Sequence, residues 1–121
     1  MIRLLELFDV HRAYKGISVS GTPVVTVVGN RIYKGMSVSG APLYTIEGNK
    51  LFRGMATSGT PLASLVGNRI FAGLATAGLP LATIVGNKTF QGISAAGSPI
   101  ANTPSGNVYA LVAATYNVLR D

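Results

Sequence analysis

Apolar and polar positions alternate along this chain in short runs, and the runs themselves recur. Residues 43–47 and 50–53 are two such runs, separated by the dipeptide Gly48-Asn49. Counting outward from a two-residue hairpin loop sets Glu47 opposite Lys50, Ile46 opposite Leu51, Thr45 opposite Phe52, Tyr44 opposite Arg53 and Leu43 opposite Gly54. Side chains of a strand alternate between faces, so Leu43, Thr45, Phe52 and Gly54 share one face and Ile46, Leu51 and Met55 share the other. Both faces are substantially apolar. A sheet of that kind is covered on both sides, by the rest of the chain or by another subunit, and a homo-oligomer is therefore expected.

The same design repeats with a period of 19. Gly-Asn returns at Gly29-Asn30, Gly48-Asn49, Gly67-Asn68 and Gly86-Asn87; a second glycine returns at Gly16, Gly35, Gly54, Gly73 and Gly92; Gly-x-Pro returns at Gly21, Gly40, Gly59, Gly78 and Gly97. Such units cannot bury an apolar face alone and stack on their copies. The segments are rich in β-branched and aromatic residues and bounded by Gly, Pro and Asn, which makes them strands. Glycine or proline every few residues excludes helix through the repeats. Glycine as the first loop residue supplies the positive φ that a tight hairpin needs there.

A glycine inside the longer run of each copy marks a bend or a close backbone approach. The run is expected to bend at Gly35, Gly54, Gly73 and Gly92, with its first half pairing across the Gly-Asn turn and its second half across the Gly-x-Pro turn. The outgoing half carries only small residues on one side, such as Ser37 and Ser39 or Ala56 and Ser58, which suit a crowded centre. Residues 1–8 read as a first strand before a degenerate turn at Asp9, Val10 and His11. Past residue 106 the mid-strand glycine disappears, and the tail reads as one longer strand or else a helix; as a strand it would pair with the N-terminal one and close the ring. The prediction is one all-β domain of 19-residue antiparallel β-hairpin repeats around an axis. It has an N-terminal cap strand over 1–11, five repeats over 12–106 and a C-terminal cap strand over 107–121. Ile46, Leu51, Leu65, Ile70, Ile84, Phe52, Phe71 and Phe90 are its expected core.

The pattern of residues 52–68, from Phe52 through Gly54, Gly59 and Pro61 to Gly67-Asn68, resembles the hairpin repeats of bacterial β-flower proteins. The resemblance extends over residues 12–107. It implies antiparallel hairpins radiating like petals and carries no mechanism with it.

Composition narrows the function. Charged residues are only 12% of the chain and hydrophobic ones 48%, so the chain folds or aggregates. There is no cysteine, which removes disulfides and thiolate chemistry. With one histidine and four scattered acids, no metal or cofactor is expected. Glycines and prolines interrupt the longest uncharged stretch, so no helix there spans a bilayer. The N-terminal stretch carries acids and no cleavage site, and a cytoplasmic location is expected. Gly16 and Gly21 have the spacing of a phosphate loop, but Thr22 stands where lysine is needed.

Charge placement is the feature left over. Ten Lys and Arg against four Asp and Glu give a net charge of +6. Arg31, Lys50, Arg69 and Lys88 each follow a Gly-Asn turn, with Arg12 at the matching place of the first copy. Lys15, Lys34 and Arg53 form a second row that lapses at Ala72 and Gln91. A ring of cations could hold the phosphates of nucleic acid or another polyanion. It could equally keep each hairpin tip solvated and block edge-to-edge aggregation. His11, near Asp9, is the sole base for a hydrolytic site, and nothing in the sequence poises it on a nucleophile. The expected role is a non-enzymatic structural or interaction module, with polyanion binding as the alternative.

Overall fold

The computed structural model describes residues 10–17, 20–104 and 107–120; the strand expected over residues 1–8 lies outside them. Ten strands follow in chain order: β1 Val10–Lys15, β2 Val25–Val28, β3 Arg31–Lys34, β4 Tyr44–Glu47, β5 Lys50–Arg53, β6 Ala63–Val66, β7 Arg69–Ala72, β8 Ala82–Val85, β9 Lys88–Gln91 and β10 Ala101–Asn102. A helix, α1, covers Val108–Arg120. The strands close into an antiparallel barrel in sequence order, sealed by β1 against β10.

The hairpin register is the one counted from Gly48-Asn49: Tyr44 pairs with Arg53, Thr45 with Phe52, Ile46 with Leu51 and Glu47 with Lys50. Gly54 N donates to the Leu43 carbonyl, 2.7 Å away. Gly29, Gly48, Gly67 and Gly86 have φ between 61° and 65°, and no non-glycine among the described residues has positive φ. Positive φ at the first loop residue alone is the sign pattern of the II′ hairpin, whose twist matches that of the strands.

The long run of each copy does not bend and continue as strand. It stops at the glycine. Its four residues pair with β4 on one edge, and the first two of them, Lys50 and Leu51, also pair with Ser64 and Ala63 of β6 on the other. Residues 54–62 and their equivalents 35–43, 73–81 and 92–100 form arms instead. The small residues expected at a crowded centre, Ser37, Ser39, Ala56 and Ser58 among them, are exposed on those arms. Met55, counted with the Leu51 face, lies past the strand end and is exposed.

Closure also differs from the expected pairing of terminal strands. Hydroxyls on the outer face tie each strand pair to the start of its arm: Thr26 to the Gly35 carbonyl, Thr45 to Gly54, Ser64 to Gly73 and Thr83 to Gly92, at 2.6–2.7 Å. The next position in this series is Asn102, whose amide donates to the Gly16 carbonyl at 2.8 Å, 86 residues away. The first and last copies thus complete one two-stranded unit between them.

The C-terminal segment is the helix, not the cap strand, and it runs inside the barrel. Ala110, Leu111, Val112, Ala113, Ala114 and Thr115 are consecutive and all buried. Six residues exceed one 3.6-residue turn, so the helix is covered all round. It packs against β1, β2, β9, β10 and β6, and β6 stands diametrically across the ring from β1. Ten strands about 4.8 Å apart enclose a radius of roughly 8 Å before tilt widens it, and a helix with side chains is about 5 Å in radius. Small side chains are therefore needed where the two meet. The wall offers Ala13, Ala63, Ala82 and Ala101, and the helix offers Ala110, Ala113 and Ala114, all in one core cluster.

Polar groups fix the helix in register. Asn107 Oδ1 accepts from Ala110 N at 3.0 Å, an N-cap bond. Thr115 and Thr89 hydroxyls meet at 2.8 Å. Asn117 donates to the Tyr44 hydroxyl at 2.8 Å, and the Tyr44 and Tyr116 rings meet edge to face with centroids 5.8 Å apart.

Of the expected core, Ile46, Leu51, Ile70, Phe52, Phe71 and Phe90 are buried, whereas Leu65 and Ile84 are half-buried against it. The three phenylalanines are absent from the lumen cluster. By alternation they lie on the outer face, beneath the arms, with Pro42, Pro61 and Pro80 buried as well.

Candidate functional site

β3, β5, β7 and β9 start at the Gly-Asn turns, and every odd-numbered strand ends at the glycine that opens an arm, so equivalent positions of the copies fall at the same end of the barrel. At the Gly-Asn end, Arg31, Lys50, Arg69 and Lys88 begin β3, β5, β7 and β9. Their partners across the next strand pair are Thr45, Ser64, Thr83 and Asn102, outer-face residues. Arg12 on β1 pairs with Thr26 of the same outer row. The structure thus brings the five sequence candidates into one belt around the outside of the wall. Odd strands are two strand spacings apart, about 9.6 Å, close to the screening length of physiological salt. Their mutual repulsion is correspondingly weak. Arg31 and Arg69 are exposed, while Arg12, Lys50 and Lys88 are half-buried. Glu47, the one acid among the described residues, faces Lys50 in this belt.

Arg12 differs from the rest of the belt. It sits at the seam, where the Thr103 hydroxyl donates to its carbonyl at 2.8 Å. Together with Val10, Tyr14 and Pro104 it lines an open cavity of about 190 Å³. Its Nε is buried and has no hydrogen-bond partner among the described residues.

Lys15, Lys34 and Arg53 occupy the opposite end. They pair with Ala101, Val25 and Tyr44, which belong to the lumen row, so they stand at the mouth of the barrel and are exposed. The last turn of α1 emerges at the same mouth, since Asn117 reaches Tyr44 at the start of β4. Cations near the carbonyl end of a helix complement its dipole, which gives this row a structural use.

His11 is not in a turn. It lies within β1 opposite Val27, in the lumen row, half-buried. Among the described residues no group of three His, Cys, Asp or Glu stands close enough to hold a metal ion. No helix of the described residues is long and apolar enough to cross a membrane.

One set of surface residues was not singled out from the sequence. Ile17, Met36, Met55, Leu74 and Ile93 each follow the arm-opening glycine and are between 59% and 72% exposed. Their 19-residue spacing was a readable signal. It was missed because Met55 was assigned to a buried face by extending the strand through Gly54.

No curated protein and no solved structure matches the chain. A family model described as "6-fold beta flower protein" matches residues 1–115. That description counts six, whereas the ten strands among the described residues make five two-stranded units. Sequential hairpins closed around an axis, with an arm opening from each unit, are the flower the residues of a single repeat resembled, and over nearly its whole length the chain belongs to the 6-fold beta flower family.

Proposed function

We propose that this chain is a non-enzymatic interaction module, a closed scaffold that presents repeated groups to a partner. The observation that supports it is how the repeat divides its side chains. The polar groups of Thr26, Thr45, Ser64 and Thr83 are spent on their own arms. The amides of Asn30, Asn49 and Asn68 reach the carbonyls of Ile46, Leu65 and Ile84 in the next unit. What remains on display includes a cation at the Gly-Asn end and a large apolar residue after the arm-opening glycine in each copy. Hydrolysis of an ester or amide substrate by the wild-type protein, abolished in His11→Gln, would overturn this reading.

Self-association belongs to this reading only through the arms. The two apolar sheet faces that motivated an expected homo-oligomer are covered within one chain, by α1 inside and by the arms outside. Sedimentation velocity at micromolar concentration decides it, a 12.5 kDa species alone counting against a homo-oligomer.

Polyanion binding through Arg12, Arg31, Lys50, Arg69 and Lys88 is the second reading. The buried, unpartnered Nε of Arg12 beside an open cavity favours it, because a guanidinium is a strong donor to phosphate or carboxylate oxygens. Nucleic acid should then bind at about 50 mM salt, release steeply as salt rises, and bind more weakly once Arg31, Lys50, Arg69 and Lys88 are all changed to Gln. Retained binding in that variant would show that the belt serves solubility.

A further inference from the structure

The five exposed apolar side chains Ile17, Met36, Met55, Leu74 and Ile93 form a crown around the arm end of the barrel. Each follows an arm-opening glycine at the end of an odd strand, so the five share one level and one end. Soluble proteins scatter such residues singly; gathered at one end of a domain they mark a surface that something covers. Just inside the crown, at the barrel mouth, stand Lys15, Lys34 and Arg53. The one acid of the described residues, Glu47, lies at the other end.

We propose that this end of the barrel docks on the surface of an anionic lipid bilayer, with the crown entering the headgroup region and the mouth cations facing lipid phosphates. Charge selects this occupant. A partner seated there must be apolar where the crown meets it and negative where Lys15, Lys34 and Arg53 meet it. A second copy would bring another chain of net charge +6 to a basic mouth. An anionic bilayer offers both properties over a plane, which suits five knobs at one level. Spanning is not implied. A strand of four residues rises about 13 Å, roughly half the apolar band of about 25 Å that membrane barrels present.

The inference deepens the interaction-module reading by naming a partner for one end, and the experiment separates the two. Full-length protein is sedimented with vesicles of phosphatidylcholine alone and with about 30% phosphatidylserine, at low and physiological salt. Three variants are compared, each checked by circular dichroism and melting temperature: Met36→Ser with Met55→Ser and Leu74→Ser; Lys15→Gln with Lys34→Gln and Arg53→Gln; and the four-residue belt variant to Gln. The expected result is binding to the anionic vesicles only, lowered about tenfold or more by the crown variant. Each mouth cation should be worth about a factor of five, and the belt variant should bind nearly as well as wild type. Because the crown side chains are exposed, the crown variant keeps its fold; single changes at Met55 and at Leu74 provide the same readout if the triple variant melts early. No binding to anionic vesicles overturns the inference, as does binding that survives the crown variant. A crown variant that splits an oligomer in sedimentation while leaving vesicle binding unchanged also overturns it and assigns the crown to a second copy. Loss of vesicle binding in the belt variant alone would move the lipid site to the other end, sinking the crown and leaving the module reading intact.

Discussion

The two faces of the barrel wall are both apolar, yet they are covered by different means. Inside, one helix without any repeat fills the lumen, and alanines of the wall and of the helix share one core cluster. Outside, the arms repeat with the wall and lie over Phe52, Phe71 and Phe90. The inner cover is a single continuous helix, buried on every side along Ala110–Thr115. The outer one is divided among separate arms whose tips are exposed, so a change under one arm should be met by that arm alone. The same amount of apolar surface should therefore cost more to disturb on the inner face.

Removing the plug gives the largest effect. A chain ending at Asn107 exposes the whole lumen row, in a domain whose total stability is on the order of 5–15 kcal/mol. It should show no cooperative thermal transition and should bind a hydrophobic dye, whereas a sharp melt would mean the barrel stands alone. Next, Leu51→Ala and Phe52→Ala compare adjacent residues on opposite faces. The closed lumen cannot collapse onto the first cavity, which should cost about 4 kcal/mol. An arm can settle into the second, which should cost about 3 kcal/mol despite the larger side chain. Chemical denaturation measures both, and a reversed order would break the comparison.

Hydroxyls extend the test at smaller scale. Thr115→Val leaves the buried Thr89 hydroxyl with only a 3.5 Å approach to the Ala101 carbonyl, and should cost about 1–2 kcal/mol. Thr45→Val frees the Gly54 carbonyl where water can reach the arm, and should cost about 0.5–1 kcal/mol. The smallest effect is expected for the belt. Arg31→Gln with Arg69→Gln, both exposed, should change stability by no more than about 0.5 kcal/mol while reducing solubility at low salt.

The wall and its register were legible because they are written locally: a glycine-first hairpin loop, strict alternation, and hydroxyl or aromatic positions that recur every 19 residues. The arms were half legible. Gly54 marks a change of direction, but a glycine that bends a strand and one that ends it look alike in sequence. What covers the inner face was not legible from periodicity. A helix buried on every side shows no apolar stripe, so Ala110 to Thr115 read as a continuous apolar run that suits strand or helix equally. The local signals that do distinguish it are Asn107 as N-cap, the alanines, and the absence of glycine and proline through Arg120. As for the sites, the cation rows came from their spacing. The unpartnered Nε of Arg12 depends on which residues meet at the seam, a contact spanning 91 residues that no local pattern records.

That seam has a kinetic consequence. Each Gly-Asn hairpin can form within microseconds because its strands are adjacent in sequence. The pairing of β1 with β10 must close a loop of nearly the whole chain, and loop-closure entropy is not repaid until it does. An open array of repeats can grow or fray one unit at a time. In a closed ring, releasing any one unit opens the wall around the helix, so unfolding is expected in a single cooperative step. Refolding should be limited by the meeting of residues 10–15 with 101–102, so Asn102→Ala, which removes the bond to Gly16, should slow refolding more than it speeds unfolding.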